Sequence, residues 1–150
     1  MRVLHHYPLS PSSRLIRLYL SEKKIEFVTK LELFWERSDA LLKLNTSGEV
    51  PILSDEDNTV LCGSGVIIEY FEELDTNINL IPGSTDQKAE VRRLFDWFEN
   101  KFNREVTNPL INNRIIKRYL GDYQPSSEII RGALYNIKVH LQYLEWLTEQ

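Results

Sequence analysis

The sequence predicts an α/β domain followed by an all-helical segment, and three observations carry that expectation. Short alternating or β-branched runs recur between apolar stripes of helical period in the first half. The period becomes purely helical after about residue 84. Between the two regimes lies "DTNINLIPGS" (75–84), a polar stretch with a Pro-Gly pair. These place an α/β domain at residues 1–75, a linker at 76–84 and a helical part at 85–150.

The elements follow in order. "RVLHH" (2–6) is a short strand running into a turn at Tyr7–Pro11. Ser12 or Ser13 is the expected N-cap of a helix reaching about Lys24, with Leu15, Ile16, Leu18, Tyr19 and Leu20 on its apolar side. "IEFVTKLEL" (25–33) alternates and is rich in strand formers. "FWERSDALLKLN" gives an irregular link and a short helix capped by Ser38 or Asp39. "VPILS" and "TVLC", joined by "DEDN", read as a hairpin, and Val66, Ile67, Tyr70, Phe71 and Leu74 then recur at helical spacing. The order is βαβαββα.

In the second part, "TDQKAEVRRLFDWFENKFNREV" presents Val91, Leu94, Phe95, Phe98 and Phe102 to a core. The last helix, capped by Ser126 or Ser127, carries Ile129, Ile130, Leu134, Ile137, Leu141 and Leu144 as its stripe, and "LINNRIIKRYL" between the two is helical as well. So few helices with such apolar faces close a bundle poorly, and the faces are expected to need a partner.

Composition narrows the function. The chain is 42% hydrophobic and 27% charged, the balance of an ordinary globular protein. No apolar run reaches the roughly 18 to 20 residues of a membrane span. The single cysteine, Cys62, excludes an internal disulfide framework and fits a reducing, cytoplasmic compartment; it reads as a small buried hydrophobe. Residues 1–80 carry 8 basic and 13 acidic side chains and residues 81–150 carry 10 and 9, so nucleic acid is not the expected partner. His5 and His6 have no cysteine or acidic residue at ligand spacing; they read as structural, and no metal site is expected.

The chemistry concentrates in "HYPLSPSSRLIR" (6–17): a strand end, a proline-punctuated turn, then hydroxyl residues at a helix start. The stretch looks like the opening of a thiol-binding active site, and its turn carries Ser10, Ser12 and Ser13 and no cysteine. Helix capping and turn formation explain the same serines without any catalysis, and Tyr7 beside them reads as packed. Arg92 and Arg93, opening the long helix, face either an anion or solvent.

Together, the βαβαββα order, the "VP" opening the hairpin, the serine starting the next helix and the helical second part resemble the glutathione transferase superfamily, from Val3 to about Tyr143. The resemblance implies a thioredoxin-like first domain, with Pro51 in "GEVPIL" cis and the Val50 backbone facing the cysteinyl part of glutathione. "GSGVIIEYFEEL" is similar to the family's "ESxAIxxYLxE" segment, which implies that Ser64 at the helix N-terminus holds the γ-glutamyl carboxylate. This chain departs from the pattern at Gly63, where the family commonly has an acid, and in having no cysteine in the first turn.

A narrower resemblance, carried by "HYPLSPSSRLIR", "FWERSDALLKLNTSGEVPIL" and "VRRLFDWFENKFNREVTNPLINNRIIKR", is to the alphaproteobacterial FzlA group. These are transferase-fold dimers that bind the tubulin-like division protein FtsZ and are not thought to depend on glutathione. It implies a cytoplasmic homodimeric binding module, with no resident cofactor and glutathione at most a weak ligand. Trp35 and the basic group Arg114, Lys117, Arg118 with Tyr119 are the expected partner contacts. Members of the group continue for several more helices, so the helical domain is expected to be incomplete at Gln150. The alternative is a serine-type glutathione transferase acting on small electrophiles through Ser10 or Ser13.

Overall fold

A computed structural model describes residues 1–74, 78–121 and 124–149; the first three residues of the expected connector, Asp75 to Asn77, lie outside the described residues. The chain forms two compact units, Met1–Ser84 and Thr85–Gln150.

The first unit is built on a four-stranded mixed sheet of order β2-β1-β3-β4. Its elements are β1 (Arg2–His6), α1 (Pro11–Glu22), β2 (Phe27–Leu31), a 3₁₀ turn (Phe34–Glu36), α2 (Asp39–Leu44), β3 (Ile52–Ser54), β4 (Val60–Cys62) and α3 (Ser64–Leu74). β1 pairs in parallel with β2 and antiparallel with β3, placing Leu4 opposite Leu53, which in turn faces Leu61. The intervening positions His5, Ile52 and Cys62 share the other face. α1 and α3 cover the Leu4 face, where the Arg2 guanidinium lies 5.7 Å over the Phe71 ring. α2 covers the other, where Cys62 Sγ approaches the Leu44 carbonyl at 3.5 Å. Leu4, Ile16, Leu20, Leu41, Ile52, Leu53, Ile67 and Phe71 make the buried core.

Two expectations need correction here. The N-cap of α1 is Ser10, whose Oγ accepts from Ser13 N at 3.2 Å, and not Ser12 or Ser13. Pro11 at the first helical position lacks an N–H and brings a helical φ, which fixes the cap one residue before it. The second strand is Phe27–Leu31, shorter than the alternating run, and as an edge strand it exposes Val28 and Leu31.

A buried polar pair ties α1 to α3. Lys23 Nζ donates to Phe71 O at 3.1 Å and to Glu72 Oε1 at 3.0 Å, and Tyr19 Oη donates to Glu72 Oε1 at 2.8 Å and to Ile68 O at 3.2 Å. Burial acts to raise the Glu72 carboxyl, but the bonds from Tyr19, Lys23 and the Leu80 N–H outweigh it and hold its pKa below the ordinary value.

The second unit runs helically from Thr85 to Tyr119: α4 (Thr85–Asp96), wide π turns (Trp97–Thr107), α5 (Asn108–Ile111), further π turns (Asn112–Ile116) and α6 (Lys117–Tyr119). α7 (Ser127–Thr148) packs against the first π stretch and begins at the Ser126 cap, whose Oγ accepts from Ile129 N at 3.3 Å. The expected stripes are only partly covered. Val91 of α4 and Ile129, Leu134 and Leu141 of α7 are exposed, while the fully buried residues of α7 are Ala133 and His140. The α7 residues that face the π turns are therefore offset from the stripe of largest aliphatics. No helix among the described residues is long and apolar enough to cross a membrane.

Candidate functional site

The first turn is a closed local system. Ser10 N donates to Tyr7 O at 3.0 Å, Ser13 N donates to Ser10 Oγ, and Ser13 Oγ, fully buried, accepts from Tyr7 N at 3.5 Å. Ser13 is thus packed beneath the turn, and burial removes it from contact with a dissolved thiol. Ser10 is half-buried. A hydroxyl that accepts a cap bond retains its own hydrogen, so Ser10 keeps one donor.

The hairpin entry and the start of α3 meet. The Val50–Pro51 bond is cis, and Pro51 O accepts from Gly63 N at 2.9 Å. Gly63 has φ +91°, a region that side chains rarely adopt, and its carbonyl accepts the first helical bond from Ile67 N at 3.2 Å. Ser64 follows as the first residue of α3 and is 7% exposed. The N–H groups of a first helical turn have no intrahelical acceptor and favour a carboxylate. A helix start beside a cis-proline loop is thus present, and the acid that would complement an ammonium is absent at Gly63.

Tyr7 is packed rather than presented. Its ring stands edge-on to Trp35 at 4.9 Å and to Phe34 at 5.8 Å. Trp35 is half-buried in the 3₁₀ turn, so it lies next to the residue that holds the serine turn. His5 Nδ1 pairs with Glu32 Oε1 at 2.8 Å, which also takes Lys30 Nζ at 3.1 Å. Burial works to raise the Glu32 carboxyl, and the bonds from His5 and Lys30 bring it below its usual value. Burial, then the Arg17 charge, pushes the His6 pKa down and keeps the imidazole neutral. Burial pushes the Cys62 thiol up, away from reactivity. No group of three or more metal-ligating side chains occurs among the described residues.

The second unit holds features that sequence reasoning missed. Trp97 Nε1 donates to His140 Nδ1 at 3.1 Å, and His140 Nε2 lies 3.1 Å from Glu105 Oε2. An indole only donates, so Nδ1 is the acceptor and Nε2 carries the hydrogen that Glu105 accepts. Lys101 completes the row by pairing with Glu105. Arg93 is committed to Glu90 and Tyr143, with Nη2 donating to Tyr143 Oη at 2.7 Å, so it is not an anion contact in waiting. Pro109, which lacks an N–H, and the asparagines at 112 and 113, poor helix formers, were the signals of unusual helical geometry.

Arg114, Lys117, Arg118 and Tyr119 form a separate group in this unit. Arg114, Ile115, Arg118 and Tyr119 line a cleft, and Lys117 Nζ donates to Asn113 Oδ1 at 3.3 Å.

Comparison with known proteins agrees with this architecture. The model of the glutathione S-transferase N-terminal domain matches residues 9–74. The crystal structure of a glutathione S-transferase from Rhodospirillum rubrum F11 superposes with a TM-score of 0.95 at 39% identity, covering 100% of this chain and 68% of that one. The chain belongs to the glutathione S-transferase family. FzlA from C. crescentus superposes with a TM-score of 0.93 at 36% identity, covering 99% of this chain and 67% of that one. In sequence, FtsZ-localized protein A of Caulobacter vibrioides is 36% identical over 151 residues, 99% of this chain and 66% of that protein. The chain thus spans about two thirds of the length of these relatives.

Proposed function

We propose that this chain is a binding module on a glutathione-transferase fold, cytoplasmic and homodimeric, that associates with FtsZ in cell division and has little or no transferase activity. The observation that carries the second half is the state of the first turn. Ser13 is fully buried, Ser10 Oγ caps α1, and Gly63 offers no carboxylate. An ammonium contact to a carboxylate contributes about 1.5 to 3 kcal/mol, so its loss weakens glutathione roughly 10- to 150-fold. The first half is supported by the likeness to FtsZ-localized protein A across 99% of the chain. Trp35 is the proposed aromatic anchor, with Arg114, Lys117, Arg118 and Tyr119 as a second contact.

The serine-type transferase reading keeps one observation in its favour: Ser10 retains its hydroxyl hydrogen beside a family-like cis-Pro51 and Ser64. Calorimetric titration with millimolar glutathione separates the two. The module reading predicts no saturable heat and no conjugation of a chloronitrobenzene substrate. Saturation in the micromolar range, with turnover that Ser10→Ala abolishes, would establish the transferase instead.

A further inference from the structure

β2 lies at one end of the four-stranded sheet, with β1 as its neighbour. The Glu32 N–H donates to the His6 carbonyl at 2.9 Å, so the backbone groups at positions 28, 30 and 32 point to β1. Those of Phe27, Thr29 and Leu31 therefore point away from the sheet. Val28, Thr29, Lys30 and Leu31 are all exposed, so no described element covers this edge. An open strand edge pairs with other strands unless a charge, a proline or a bulge prevents it. β2 has no proline and one charge, Lys30, so the setting of that lysine decides what the edge accepts.

The sequence here complements its own reverse: from 26 to 30 it reads Glu-Phe-Val-Thr-Lys. In an antiparallel pair of two copies centred on Val28, Glu26 of each copy lies opposite Lys30 of the other. Phe27 and Thr29 of the two copies exchange four backbone bonds, and Val28 faces itself at a non-hydrogen-bonded position, where side chains approach most closely. The ladder stops there, because the Ile25 N–H already donates to Leu20 O at 2.9 Å. Pairing about Thr29 instead sets Glu26 against Glu32, and pairing about Lys30 sets that lysine against its own copy; like charges directly opposite are destabilising. Glu26 is exposed and holds no ion pair among the described residues. Lys30 keeps its 3.1 Å contact with Glu32, yet its side chain is 54% exposed and its ammonium has further donors for a second carboxylate. We propose that β2 pairs antiparallel with β2 of a second copy, centred on Val28, joining two four-stranded sheets into one. A second copy is the occupant because, of these three registers, this one matches the charges of the strand to themselves. The inference gives a surface to the homodimer proposed above and rests on that part of the reading, not on FtsZ.

The test is sedimentation velocity of the full chain over a micromolar concentration series, with circular dichroism on every variant. Glu26→Lys and Lys30→Glu are each expected to weaken self-association about tenfold, since each reverses two contacts per dimer. Mixing the two variants is expected to restore it, because every lysine then meets a glutamate of the other copy; a role confined to one chain gives no such rescue. In a Cys62→Ala background, Val28→Cys is expected to form an intermolecular disulfide under mild oxidation and Thr29→Cys far less, as only position 28 meets itself. Val28 is exposed, so this cross-link decides the matter if a charge variant fails to fold. A dimer that lacks the position 28 cross-link, or one that both charge variants leave unchanged, overturns the β2 pairing and keeps the homodimer on another surface. A monomer at every concentration overturns both. A cross-linked, charge-sensitive dimer that does not pellet with FtsZ polymers sustains the pairing and removes FtsZ as partner.

Discussion

Ser10 gives its side-chain oxygen to the Ser13 N–H, and the consequence is measurable as stability. Ser10→Ala is expected to lower the unfolding free energy by about 1 kcal/mol in urea titration, the usual effect of losing a serine cap. A loss near zero would mean that the cap bond does not persist. A serine cap was legible in "LSPSS", but the weight placed on the serines nearest the apolar run obscured what Pro11 dictates. The Lys23–Glu72 pair was not legible at all, because its partners lie 49 positions apart and each resembles a surface charge in the sequence. The Glu72 carboxyl is depressed, so its contribution is fully present above its unfolded pKa and is lost as pH falls through the folded value. Glu72→Gln leaves Lys23 buried without its counter-charge and is expected to cost about 3 to 5 kcal/mol at neutral pH. The variant should also flatten the acid limb of the stability profile below about pH 4.5; an unchanged acid limb in chemical denaturation would assign that limb to other carboxylates.

At the scale of elements, the sheet domain was legible because its strands and helices follow local period and its turns carry Pro, Gly and Ser. The helical unit was legible only as helix. Its long run contains Pro109, which has no N–H for the Glu105 carbonyl, and Asn136 of α7 donates to that carbonyl at 3.2 Å instead. The Trp97–His140–Glu105 row sits one helical turn away on the same interface. A single periodic count cannot reveal this, since it ranks aliphatics and places histidine and asparagine outside the core. His140→Phe keeps an aromatic ring, somewhat larger than imidazole, and removes both bonds, leaving the Trp97 N–H and the Glu105 carboxylate without this partner. A loss of about 1 to 3 kcal/mol, with a shift in tryptophan emission, is expected on thermal and fluorescence assays. Unchanged melting and emission would show that the row is not formed in solution.

Across the whole molecule, the family assignment was readable from the combined order of elements, the "VP" hairpin entry and the serine opening α3. The use to which the fold is put was readable only through the narrower resemblance, since Trp35, Ser10 and the Arg114 group are ordinary residue types whose roles depend on position. The exposed Leu134 and Leu141 of α7 remain large apolar side chains at 44% and 54% exposure, in keeping with association between copies. Light scattering is expected to return a dimer at micromolar concentration, and a monomer across that range would contradict the homodimeric part of the proposal. The proposed association with FtsZ is read by co-sedimentation with FtsZ polymers. Wild type is expected to enter the pellet in proportion to polymer, and folded Trp35→Glu to stay in the supernatant. Wild type remaining in the supernatant at every polymer concentration would contradict it.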